Sequence, residues 1–111
     1  MQDKLIISIK IKKTIELVRK TTCNYSHEYK FLKDNIMNTF YDLLKLTYKA
    51  NICKDINVKK DIIVDIKMIE YYIKVSCDYQ LISYKKFKRI GDYLLEINKM
   101  VYSWMNMQKV S

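Results

Sequence analysis

Cys23 and His27 stand four residues apart, and His27 is the only histidine in the chain. A thiol activated by a nearby imidazole is a nucleophile for acyl transfer. Nothing around this pair supplies a third, orienting group or an oxyanion hole. The other cysteines, Cys53 and Cys77, are distant in sequence, and no CxxC occurs. A zinc site gathers about four ligands, so the three cysteines read as free thiols in a reducing, cytoplasmic setting. Asp61 and Asp65 are one helical turn apart, as are Asp92 and Glu96. Carboxylates so spaced can hold metals inside a bundle, but di-iron bundles add Glu-x-x-His elements, and this sequence has none. These acids are expected to pair with lysines or to face solvent. A single glycine excludes a glycine-rich phosphate loop. The residues therefore point to a protein that is not an enzyme and carries no metal or other cofactor.

Charge carries more information. Lys and Arg number 21 against 12 Asp and Glu, a formal charge of +9. A field of this size on a small body attracts polyanions. Three clusters stand out: Lys10, Lys12, Lys13, Arg19 and Lys20; then Lys54, Lys59 and Lys60; and the densest, Lys85, Lys86, Lys88 and Arg89. The last falls at a predicted helix start, where cations oppose the macrodipole and bring no folding benefit. Tyr84 and Phe87 interleave with it. Tyr84 is expected to stack on a base or ribose, and Phe87 to turn into the core. Binding would be led by phosphates, salt-sensitive and indifferent to sequence. The competing readings are a lysine face that only solubilises the chain, or an acidic protein or membrane surface as partner.

The elements that position these groups are helical. The chain has 111 residues, no proline and one glycine, which suits a few long helices better than the many turns of a sandwich or barrel. One domain, residues 1–111, is expected as an all-α, antiparallel up-down-up-down four-helix bundle. The helices are predicted at about 2–22, 27–51, 57–78 and 83–107. The first opens on IISIKIKK, which alternates like a strand; a lone strand would have nothing to pair with, so helix is preferred. Ser26, Asp55 or Asn57, and Ser83 are the candidate N-caps. The predicted core rows are Ile11, Ile15, Val18 and Thr22; then Leu32, Ile36, Phe40, Leu43 and Thr47; then Ile62, Ile66, Ile69, Ile73 and Ser76; and finally Ile90, Leu94, Ile97, Val101 and Trp104. Gly91 would permit close approach of a neighbouring helix. Gln108 to Ser111 are expected to fray. No apolar run reaches the ~20 residues of a membrane span, and the N-terminus lacks signal-peptide organisation. Ten tyrosines are many for one core, and some suit an intersubunit surface.

Three stretches resemble the accessory variability determinant (Avd) family of diversity-generating retroelements. FYDLLKLTYKAN (40–51) is similar to that family's LDLLELxxxAN helix end. DIKMIE (65–70) leading to LISYKKF (81–87) is similar to a helix followed by GLISxKqYexL. LEINKMVYSW (95–104) is similar to the closing LxEIGRMLGGWL. The likeness spans roughly residues 28–107, and none of these motifs is catalytic. The chain departs from the family's pattern where Tyr102 and Ser103 replace two glycines, where Gln80 replaces the glycine before LIS, and in the proline-free link at 24–30. The resemblance implies a basic four-helix bundle, a homopentamer, that partners a reverse transcriptase and binds RNA or DNA during mutagenic retrohoming. A sister branch, encoded in intervening sequences of ribosomal RNA genes, implies instead a structural or protein-interaction bundle without a direct nucleic-acid role.

Overall fold

The computed structural model describes residues 2–110, with side chains described for 6–107. Helix α1 spans Gln2–Thr22, a single 3-10 turn covers His27–Tyr29, and α2 (Lys30–Cys53), α3 (Ile56–Asp78) and α4 (Tyr84–Val110) follow. No strand occurs among the described residues. The IISIKIKK stretch is helical because one of its faces buries Ile7, Ser8 and Ile11 while Ile6 and Ile9 remain outside. The expected fraying falls at the limit of description: α4 runs to Val110, and Ser111 lies outside the described residues.

Helix neighbours form a closed ring, α1 to α2 to α3 to α4 and back to α1, in a body of 47 × 22 × 19 Å. Early α1 meets late α4, where Ile6 and Ile7 line one groove with Ser103, Trp104 and Met107, and the helix middles are joined by Lys10 and Glu96. The start of α3 likewise lies by the end of α4, where the Lys59 ammonium stacks on the face of the Trp104 ring. The core takes one row from each helix: Ile11 and Val18, Ile36 and Phe40, Ile62 and Ile66, Ile90 and Ile97 are all fully buried. Thr47 and Ser76 are buried in the same rows, as their spacing predicts. Met68, beside that α3 row, is 40% exposed.

The helix ends explain the links. Asp55 caps α3 by accepting from the Asn57 amide at 2.9 Å, and Ser83 Oγ accepts from the Lys86 amide at 3.1 Å. Ser26 makes no side-chain cap. Its carbonyl instead accepts from the Tyr29 amide, so a 3-10 turn precedes α2 and that helix starts later than predicted. Two links end in the left-handed region without glycine, at Lys54 (φ 55°) and Gln80 (φ 61°). After α3 the Gln80 amide reaches the Cys77 carbonyl and the Leu81 amide reaches that of Ser76, a Schellman closure normally built on glycine.

Gly91 corrects an expectation. A Cβ built there would meet nothing within 4 Å, so no neighbouring helix crowds it.

Candidate nucleic-acid interface

Helices α1 and α4 share a groove of about 530 Å³ lined by Lys12, Lys13, Glu16, Leu17, Lys20, Arg89 and Tyr93. The arrangement follows from the core rows. With Ile11, Ile15 and Val18 inward, residues 12, 13, 16 and 20 face out. With Ile90 and Ile97 inward, Arg89 and Tyr93 lie along the flank of α4 that faces α1. Two basic clusters far apart in sequence thus meet at one end of the bundle. Lys12, Lys13, Lys20 and Arg89 are exposed and form no ion pair among the described residues, though the Lys12 ammonium lies 5.6 Å over the Tyr48 ring of α2. The groove's acid, Glu16, is held by Arg19 at 2.7 Å, and the Arg19 hydrogen bond and charge lower its carboxyl below the usual range. A concave cluster of cations without ion-pair partners is suited to phosphate oxygens.

The other predicted site residues divide. Lys85 and Lys86 are exposed beside the groove's open end, one turn before Arg89. Lys88 is exposed as well, but at about 100° per residue it turns to the opposite flank. Tyr84, one turn earlier in that same row, is 70% exposed, and its ring lies 6.0 Å from that of Phe87, so it does not join the groove. Lys10 is committed elsewhere: it bridges Glu96 at 2.7 Å with 21% of its side chain exposed, and its ammonium sits 4.3 Å over the Tyr93 ring. Arg19 is taken up by Glu16, and with Lys20 it stands in the last turn of α1, where cations complement the macrodipole.

Two residues escape the sequence reading. Tyr93 places the aromatic ring in the groove; its position one turn after Arg89 is the only signal for it. Lys59, grouped above in a basic cluster with Lys54 and Lys60, is 2% exposed and lies 4.3 Å over the Trp104 ring. The burial is geometric, since Lys59 shares the inner face of α3 with Ile62 and Ile66.

The other candidate chemistry is placed as follows. Cys23 donates to the Lys20 carbonyl at 3.0 Å, and His27 is exposed. All three cysteines are free. Among the described residues no three of His, Cys, Asp and Glu group as metal ligands, and no helix is long and apolar enough to cross a membrane. Asp65 departs from the expectation that these acids pair with lysines or face solvent. Burial, a hydrogen bond with Asp42, and the charges of Asp42 and Asp61 push its carboxyl up to about 7. One of its oxygens is buried with no other partner in view.

No family model, no curated protein and no solved structure matches this chain.

Proposed function

We propose that this chain is a basic, non-enzymatic accessory protein that binds the backbone of RNA or DNA in the groove between α1 and α4. The observation that carries the reading is the meeting of Lys12, Lys13 and Lys20 with Arg89, exposed and without acidic partners of their own. We read the bundle as antiparallel, up-down-up-down, which the groove shared by Ile6, Trp104 and Met107 and the contact of Lys59 with Trp104 support. The resemblance to the Avd family extends the proposal to a cytoplasmic role beside a retroelement reverse transcriptase, as a homo-oligomer and by that likeness a pentamer. One departure from the family's pattern is consistent with it: Gln80, where the family has glycine, takes the positive φ that a glycine would hold freely.

The test is a salt titration of RNA affinity. Four cations on a single strand give a slope of log affinity on log salt of about −3. Arg89→Glu and Lys13→Glu should each weaken binding to every sequence alike and flatten the slope by about one. Absence of affinity at low salt sinks the proposal. A second reading, a protein-interaction bundle, is favoured by a specific feature: the outer face of α3 exposes Val64, Met68 and Tyr71.

A further inference from the structure

Helix α2 leaves two aromatic rings in water on the side that meets α1. Tyr41 is 52% and Tyr48 41% exposed, although aromatic rings are among the largest apolar surfaces a fold can bury. With Lys45 they are spaced by four and three, which sets all three on one outward stripe of α2. Lys45 is exposed and has no ion pair among the described residues.

Helix α1 meets this stripe with cations. The Lys12 ammonium stands 5.6 Å from the centroid of the Tyr48 ring, and Lys12 also lines the α1–α4 groove. Two turns further along α1, the Arg19 guanidinium is pushed up first by its hydrogen bond to Glu16 and then by that charge, and it also feels the Tyr41 phenol. The acids nearby are engaged: Glu16 by Arg19 at 2.7 Å, Asp34 by Lys30 at 2.8 Å, and Asp42 by its hydrogen bond with Asp65 of α3. Other rings near the cations are less available. Tyr93 is half-buried with the Lys10 ammonium 4.3 Å over it, and Tyr84 lies on the opposite flank of α4 beside Phe87.

We propose that Tyr41 and Tyr48 are a stacking platform for unpaired bases, so that this chain takes single-stranded RNA or DNA in preference to duplex. Cations hold a phosphate backbone whether or not its bases are paired. A ring can stack on a base only where no neighbouring base pair covers it. The two tyrosines stand about 10.5 Å apart along α2 at ~1.5 Å per residue, which matches about three nucleotides of a strand rising ~3.4 Å per phosphate. One strand can therefore seat a base on each ring while Lys12 and Lys45 lie beside the phosphates between them. Lys13, Lys20 and Arg89 then take the strand on into the groove. The inference rests on the phosphate-binding reading above and adds the bases to it.

The test compares strands of equal charge by anisotropy titration of the full chain. A twelve-residue oligodeoxythymidine should bind at least about twentyfold more tightly than an abasic phosphodiester strand of the same length, from two stacked bases. It should also bind more tightly than a duplex hairpin with the same number of phosphates. Tyr41→Leu and Tyr48→Leu should each weaken the thymidine strand at least about fivefold and leave the abasic strand and the melting temperature unchanged. Tyr48→Phe keeps the ring and should bind like wild type. Equal affinity for the thymidine and abasic strands overturns the proposal, as does tighter binding of the hairpin. Leucine variants that bind like wild type overturn it too, and so does a loss that falls equally on the abasic strand, where there is no base to stack. Absence of affinity for every strand at low salt removes the groove reading and this one with it, whereas affinity indifferent to the bases removes this one alone.

Discussion

Asp65 shows how one side chain couples this fold to pH. Its carboxyl is pushed from the ordinary 3.8 up to about 7 by burial and by Asp42. The folded chain therefore holds a proton between about pH 4 and 7 that the unfolded chain releases. Stability is highest below that window and falls as pH rises through it. Asp65→Asn keeps the shape and removes the charge, so it should raise the melting temperature at and above neutral pH, with the gain shrinking toward pH about 4. A gain that is constant with pH would count against the assignment. Gln80 offers a second check at this scale. With φ at 61° in a glycine-type closure, Gln80→Gly should stabilise the chain by about 1 kcal/mol, read by denaturant unfolding. Neither feature is visible in residue types alone. Asp65 differs from its neighbour Asp61 only in what α2 brings to it, and nothing about a glutamine announces a left-handed backbone.

At the scale of elements, a three-and-four spacing of apolar residues was enough to place the last three helices, because each core row is long and each link short, whereas the opening of the first rested on a strand there having nothing to pair with. The ends were read less well. Ser26 and Ser83 look alike as caps in sequence, yet only the Ser83 side chain accepts an amide hydrogen. Ser83→Ala should cost about 1 kcal/mol, and Ser26→Ala should leave thermal stability nearly unchanged. Equal losses would refute the distinction. The difference arises from the 3-10 turn at His27–Tyr29, which shifts the start of α2 beyond the reach of Ser26. Basic runs were legible as runs, but their partners were not. Charge counting cannot tell that Lys10 would reach Glu96 across a helix pair, or that Lys59 would face inward beneath Trp104.

At the scale of the whole molecule, α4 serves two different surfaces. One flank carries Arg89 and Tyr93 toward α1, and the other carries Gly91 and Leu95 toward α3. Adjacent cations on this helix should therefore behave differently. Arg89→Glu should weaken RNA binding several-fold more than Lys88→Glu, although both make the same change in net charge. Equal effects in a filter-binding or anisotropy assay would mean that the overall field, and not the groove, governs affinity. The fold was legible at this scale and the site only in outline. The charge asymmetry is written in composition, whereas the union of α1 and α4 cations exists only once the ring of helices closes.

Ile6 and Met107 line one groove at the far end of the same helix pair. Met107 stands about 27 Å along α4 from Arg89, at ~1.5 Å per residue. That spacing makes the Ile6–Met107 end a natural handle. A fluorophore or surface tether placed there would leave the cation groove open to solution.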